Sequence, residues 1–367
     1  MSLIKVKSRG TQNVGGGRRN LIINGGMQVA QRSSSAVQAG NGTYNTVDRM
    51  MTWSGGSGTF TGSQSTGHQL ATGHDTAFKV DVTGADTSIA AGDYYEFLQR
   101  IEAKNLQHLR WGTAAAQKLQ VSFWVRATKT GVQSLFVSKQ GTGTDYRNVL
   151  NYTINASDTW EHKIIEVPAL TASTIANDAS TYVQVGWILA MGSDFQNGTA
   201  GTWTTNSFFT TSNTVNHMDS TSNDFYVTGF QVEVGDSASD FEHRSFGEEL
   251  QLCKRYFQKF NYSSNTSEAT ASNSTPVNCC FNNTVAYGGF GLPVEMRTSG
   301  TFSASAANTW IYYTATNSYT PSSFTAYEMS PHTWGMRYDT SGSWGAGNAV
   351  YGRPVTTSSY WQVDAEL

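Results

Sequence analysis

The sequence predicts an all-β protein: a jelly-roll β-sandwich, a short helix, then a second, smaller β-sandwich. Three observations carry this. Apolar residues recur with period two in segment after segment, the pattern of strands with one buried face. No long helical stretch separates those segments, which excludes a parallel α/β sheet. The polar residues are mostly Ser, Thr, Asn, Gln and Gly. Of 367 residues 14% are charged and 36 are glycine, against roughly 25% charged in an ordinary soluble domain. Such a composition favours turns and hydroxyl-rich sheet surfaces.

Residues 1–20 form a basic arm. Lys5, Lys7, Arg9, Arg18, Arg19 and Arg32 all precede the first acidic residue, Asp48, and "VGGGRR" is a hinge signal. Such an arm is either a solvated tail or a peptide that docks on an acidic partner. The whole chain carries a formal net charge of −3, so nothing draws it globally to nucleic acid or anionic membrane. The beginning of the chain lacks the apolar core of a signal peptide. No run approaches the ~20 apolar residues of a membrane span. Cys253, Cys279 and Cys280 give no disulfide framework and read as small buried hydrophobes of a chain made in a reducing compartment.

Residues 21–245 form the jelly roll. "NLIINGGMQVAQR" opens it with two short strands about a tight turn at Asn24 and Gly25. In "AFKVDV", Phe78, Val80 and Val82 alternate with Lys79 and Asp81. In "LQVSFWVRA", Leu119, Val121, Phe123 and Val125 alternate with Gln120, Ser122, Trp124 and Arg126. Val183, Val185, Trp187 and Leu189 repeat the pattern, as do Phe230, Val232 and Val234. Seven or more such strands fit a jelly roll with generous loops.

Residues 246–262 form a helical connector. Ser245 and Glu248 make a capping box. Leu250, Cys253, Phe257 and Phe260 form one helical stripe, a seam for a domain or a subunit partner. Glu248 and Glu249 suit the positive end of the dipole, and Lys254, Arg255 and Lys259 the other. After a Ser/Thr/Asn-rich stretch, residues 263–367 form the distal β-domain. Its aromatics Trp310, Tyr312, Tyr313 and Trp361 exceed what ~90 residues comfortably bury, which points with the stripe to a trimer.

Catalytic signatures are absent: no H-E-x-x-H, Walker loop, G-x-S-x-G or cysteine–histidine metal spacing. No cofactor or metal is expected. His243 reads as a surface or cap contact, and His74 with Asp75 as a loop. The aromatics, 12% of the chain, suit stacking on pyranose rings beside amides and carboxylates. Trp124 stands on the polar side of its strand. "PHTWGMRYDTSGSWGAGN" reads as a loop that sets Trp334, Tyr338 and Trp344 near Arg337 and Asp339. These six are the glycan-binding candidates.

The segments "RNLIINGGMQVAQRSSS", "LQRIEAKNL", "LQVSFWVRATKTG" and "VTGFQVEVGDSASDFEHRSFGEELQLCKRYFQ" resemble a family of bacteriophage virion proteins, the tail fibre or host-attachment proteins. The resemblance runs over most of residues 19–300. It implies a carbohydrate-binding-module-like jelly roll, a helical seam and a variable distal β-domain. It also implies a homotrimer that is assembled in the host cytoplasm, carried on the virion and adsorbed to host surface polysaccharide. No binding residue carries over from it. The N-terminal arm, with Lys5, Lys7, Arg9, Arg18 and Arg19, then reads as the virion-docking peptide. A purely structural fibre or decoration protein, and a polysaccharide depolymerase, are the competing readings.

Overall fold

The period-two segments become strands in the computed structural model, which describes residues 19–38, 40, 42–262, 278–307, 310–314, 318–354 and 359–367. Lys5, Lys7, Arg9 and Arg18 lie outside these. The chain divides into two compact units. The first runs to Leu250 and takes in Leu367; the second is Gln251–Glu366.

The first unit contains β1 (Ser35–Val37), β2 (Met51–Gly55), β3 (Thr59–Ser65), helix α1 (Gln69–Thr72), β4 (Ala77–Gly84), β5 (Tyr94–Glu102) and β6 (Leu119–Ala127). It continues with β7 (Gly131–Gln140), β8 (Tyr146–Ile154), β9 (Glu161–Val167), β10 (Tyr182–Met191), β11 (Trp203–Thr204) and β12 (Asp224–Val234). They pair antiparallel into two six-stranded sheets, ordered β1-β3-β4-β12-β6-β9 and β11-β8-β7-β10-β5-β2. The inward residues of both sheets make one core, as expected of a sandwich. Trp187 is its centre: its ring lies 5.1 Å from Phe97, 5.2 Å from Phe123 and 4.6 Å from Phe230. All four inward residues expected on "LQVSFWVRA" and on "YVQVGWIL" are in this core.

Strand β12 changes phase. Phe225 and Val227 face the core, and so do Phe230 and Val232. The shift lies between Thr228 and Gln231, where Gly229 takes φ +58°. This is a β-bulge at the residue type that adopts left-handed backbone without strain.

Residues 20–25 fill the gap this leaves. The Asn-Gly turn exists, with Asn24 at φ +61°, but no strands flank it. The expected hairpin is replaced by a segment lying along β12. Phe230 N–H donates to Gly25 O at 2.9 Å and Leu21 N–H to Val232 O at 2.8 Å. Asn20 adds a side-chain bridge: its Nδ2 donates to Phe230 O at 3.1 Å and its Oδ1 accepts from Val232 N–H at 3.1 Å. A Cβ on Gly25 would fall 2.1 Å from Phe230 O, so only glycine permits the approach.

The charged knot at 242–249 holds that segment. Arg244, its side chain 6% exposed, donates to Glu249 Oε1 at 2.9 Å and to the carbonyls of Ile22 and Asn20 at 3.0 and 2.5 Å. Glu242 Oε2 accepts from Asn20 N–H at 2.5 Å, and Glu249 accepts from Asn24 N–H. Arg19, expected in the free arm, donates to Ser239 Oγ at 2.7 Å. Arg19 and Asn20 are thus bonded into the first unit.

Helix α2 (Phe246–Lys254) begins with the expected capping box: Ser245 N–H donates to Glu248 Oε2 at 2.9 Å and Glu248 N–H to Ser245 Oγ at 3.3 Å. It stops at Lys254, not near 262. Residues Phe257–Tyr262 are strand β13. Phe257 and Phe260 therefore share no helical stripe with Leu250 and Cys253. Cys253 and Phe257 are buried, and Leu250 and Phe260 half-buried, within the single chain.

The second unit holds β13, β14 (Asn278–Cys280), β15 (Val285–Gly291), β16 (Thr301–Ala304), β17 (Trp310–Tyr313) and β18 (Ser318–Tyr319). It ends with β19 (Ser323–Ala326), β20 (Thr333–Asp339), β21 (Ala349–Pro354) and β22 (Ser359–Asp364). A three-stranded sheet, β13-β22-β16, and a seven-stranded one, β18-β17-β21-β14-β15-β20-β19, enclose an aromatic core. Trp310 stacks on Trp361 at 4.8 Å, and both are 0% exposed, as is Tyr312. Of the four rings expected to exceed this unit's core, Trp310, Tyr312 and Trp361 are buried in it and Tyr313 is half-buried. Cys279 is exposed, unlike Cys253 and Cys280.

Arg244→Ala should destabilise the first unit by about 3–5 kcal/mol, since it leaves the Glu249 carboxylate buried without its cation. Urea unfolding followed by Trp fluorescence measures this. A loss below about 1 kcal/mol would show that the knot is ornamental.

Candidate functional site

Side chains on a strand alternate, so each sheet has a second face. On β5, Tyr95, Phe97 and Ile101 enter the core, which turns Tyr94, Glu96, Leu98 and Arg100 outward. Their neighbours follow from the register. Trp53 pairs with Glu96 and Met51 with Leu98 on β2. Gln184 pairs with Arg100 and Ile188 with Glu96 on β10. On the far side, Phe136 of β7 lies opposite Val149, and Ser138 opposite Arg147, of β8.

The centre of this face is apolar. Met51, Leu98, Phe136, Ile188 and Met191 are buried together, with Trp53, Tyr94, Phe195 and Phe209 packed against them. Phe195 and Phe209 come from the loops after β10 and β11. Phe209 N–H donates to Phe195 O at 2.9 Å, and its ring lies edge-on to Phe136 at 5.0 Å. The result is a groove of about 290 Å³. A larger crease of about 570 Å³ runs between Arg19, His108 and residues 233–240. It offers no ring beyond that of His108, so the smaller groove is the better candidate.

Two charged side chains, Glu96 and Arg100, line the groove, and a third, Arg147, stands beside it against Phe209. Arg100 lies 4.5 Å from the Tyr182 ring centroid and 5.9 Å from that of Trp53. It donates to Gln184 Oε1 at 3.4 Å and to Leu367 O at 2.7 Å. Arg147 lies 4.9 Å from the Phe209 centroid and donates to Asn206 O at 3.3 Å; its Nε is buried without a partner. Glu96 is 7% exposed, and its Oε2 also has no partner. Burial pushes the Glu96 carboxyl up to about 8, against the opposing pull of Arg100 and Arg147. Burial likewise lowers the Arg147 guanidinium. Among the described lining residues Glu96 is the one carboxylate.

The expected candidates lie elsewhere. Trp334, Tyr338 and Trp344 are 1–2% exposed and belong to the second unit's core. Their rings pack inside the unit rather than standing in a loop. The segment expected as a loop contains β20, whose alternation sends Trp334, Met336 and Tyr338 inward and Arg337 and Asp339 outward. Arg337 pairs with Asp339 at 2.7 Å on that outer face. Among the described residues of the second unit, Phe281, Tyr327 and Tyr351 are exposed. Trp124 is half-buried on the outer face of the first unit's other sheet, 5.0 Å from His162. Nearby, His243 stacks on His74 at 5.2 Å, and burial with that neighbour lowers His74 to about 4.

Sequence reasoning missed Trp53, Tyr94, Glu96, Arg100 and Arg147. The signal was present in "DYYEFLQRIE", where the residues out of phase with the core are a ring, a carboxyl and a guanidinium.

No family model matches the chain, and no curated protein matches it in sequence. Solved structures resemble it faintly. The enzymatically active domain of tailspike protein 4 of bacteriophage CBA120 does so at 11% identity and TM-score 0.26, over 59% of this chain and 21% of that one. The family 11 carbohydrate-binding module of the cellulosomal cellulase Lic26A-Cel5E of Clostridium thermocellum does so at 11% identity and TM-score 0.30, over 57% of this chain and 100% of that one. The CBM22-1 xylan-binding domain of Paenibacillus barcinonensis Xyn10C does so at 8% and 0.27, over 60% and 99%. Likenesses this slight carry no conclusion about what the chain does.

The sign of the Glu96 contribution to stability is fixed by its raised pKa. Below the unfolded value, near 4.5, the carboxyl is protonated folded and unfolded, and contributes nothing. Between 4.5 and about 8 only the unfolded chain ionises, so stability falls as pH rises, by about 1.4 kcal/mol per pH unit. Above 8 the effect is constant. Glu96→Gln should match the parent at pH 4 and exceed it in stability at pH 8. Parallel denaturant curves at the two pH values test this; equal differences at both would contradict it.

Proposed function

We propose that the chain is a phage virion fibre protein that binds host surface glycan through the groove of the first unit, without cleaving it. The observation that carries the glycan reading is the outer face of the second sheet. Aromatic rings from Trp53, Tyr94 and Phe209 line a groove that also presents Gln184, Gln140, Arg100 and Glu96. Flat rings stack on the C–H faces of pyranoses, while amides and charged groups bond hydroxyls. The single carboxyl favours binding over hydrolysis. The virion assignment, assembly in the host cytoplasm and docking through the basic arm before Arg19 rest on the sequence resemblance. So does the homotrimer, since Cys253, Phe257, Trp310, Tyr312 and Trp361 of the surface expected to drive it are buried within one chain. Sedimentation equilibrium at micromolar concentration should give three times the chain mass; a stable monomer would overturn that part.

The groove itself is tested with purified full-length protein and a panel of bacterial surface polysaccharides. At least one should retard the protein in affinity electrophoresis. The double variant Trp53→Ala, Tyr94→Ala should lose about 10-fold or more of that affinity, the worth of two stacking contacts. No new reducing ends should form. Their appearance would favour the depolymerase. Parent-like binding by the double variant would place the site elsewhere, and no binding at all would favour a purely structural fibre.

A further inference from the structure

We propose that the groove selects sugars bearing a carboxylate, of the uronic acid class, with Arg147 as the cation that recognises the acid group and Glu96 as a hydrogen-bonding partner beside it. This deepens the glycan-binding reading and rests on it. The geometry supplies three reasons.

The first is charge. Arg100 lines the groove, Arg147 stands beside it, 4.9 Å from the ring centroid of the lining residue Phe209, and Glu96 is the one acid among the described lining residues. Even with Glu96 ionised the face is cationic. Guanidinium is planar and presents paired donors that match a carboxylate, which a neutral hydroxyl cannot use as fully.

The second is unmet hydrogen-bonding capacity. Arg147 Nε and Glu96 Oε2 are both buried and without partners. A buried polar group left unpaired costs about 1–3 kcal/mol. Both sit on the outer face of one sheet, where Phe209 covers the Arg147 guanidinium and Trp53 stands opposite Glu96. A ligand carboxylate that reaches the edge of the groove beside Phe209 would give the Arg147 guanidinium an acceptor.

The third is the protonation state of Glu96. The groups acting on it are Arg100 of its own strand and Arg147 of β8. Arg147 is in turn influenced by Asp145 and Tyr182. β2 contributes Trp53 and β7 contributes Ser138 and Gln140, none of which titrates near neutrality. Burial therefore wins, and at neutral pH Glu96 is a carboxylic acid that can donate to the ligand's carboxylate. Ionised, it would repel that ligand.

The test is isothermal titration of the full chain with oligogalacturonate and oligoalginate, beside neutral and sulfated oligosaccharides of equal length at one ionic strength. The uronates should bind best. Affinity should fall at least 10-fold between pH 7 and pH 9. Glu96→Gln should flatten that pH profile. Arg147→Gln should weaken uronate binding about 10- to 100-fold, the worth of a hydrogen bond to a charged group, with neutral sugars little changed. Arg147→Lys, which keeps the charge, should recover part of the loss. Tighter binding of neutral or sulfated sugars than of uronates overturns the proposal alone, as does a flat pH profile in the parent protein. Binding of no sugar in any class overturns both this inference and the glycan reading beneath it.

Discussion

The first sandwich depends on how the bulge in β12 is mended. The bulge turns Phe230 and Val232 into the core, which the packing around Trp187 requires. It also detaches their backbone groups from the neighbouring ladder. Buried N–H and C=O groups must be paired. Residues 20–25 pair them, through Gly25, Leu21 and the forked amide of Asn20. That segment has no strand partner of its own and is held by Arg244, Glu242 and Glu249. Residues more than 200 positions apart in the chain thus close one structure. The knot that stands out in the sequence as a cluster of charge is a clasp for an otherwise unsupported backbone.

Alternation decided what could be read in advance. Where a strand buries one face, the apolar phase names its core residues, and Leu119 to Val125 and Val183 to Leu189 were legible for that reason. The same alternation produces the groove, yet the groove was not legible. Its residues are the complement of the core phase on strands separated in sequence, and only sheet order brings Trp53, Tyr94, Tyr182 and Arg147 to one face. β20 was misread for a related cause. The Gly and Ser around it give the sequence of a loop, in which Trp334, Arg337, Tyr338 and Asp339 would be neighbours. A strand places consecutive residues on opposite faces, and the rings and charges were divided between core and solvent.

The helix after Ser245 shows where local signals lose to pairing. Leu250, Cys253, Phe257 and Phe260 satisfy a helical period, but Phe257 and Phe260 equally suit a strand. Extending the helix would satisfy these residues locally. Pairing β13 with β22 instead places Phe260 opposite Trp361 and brings it against the second unit's aromatic core. Burial at about 25 cal/mol per Å² outweighs the few tenths of a kcal/mol by which aromatic residues differ in helix propensity. The capping box survives because it is local, and the C-terminal end moves because it is not.

A sheet face built only for stability would fill its outer side with hydroxyls in water or with an apolar cover. The face around Glu96 does neither. Its centre is as apolar as a core, so charges there lose the solvation that water would give. Yet two guanidiniums and a carboxyl are kept within it, two of them with atoms that no neighbour satisfies. Removing the carboxyl should stabilise the fold above pH 4.5, which makes Glu96 a residue the sandwich does not need for its own sake. Low polarity strengthens every hydrogen bond a ligand would bring to these atoms. The property that makes the face unfavourable when empty is the one that would make it selective when filled.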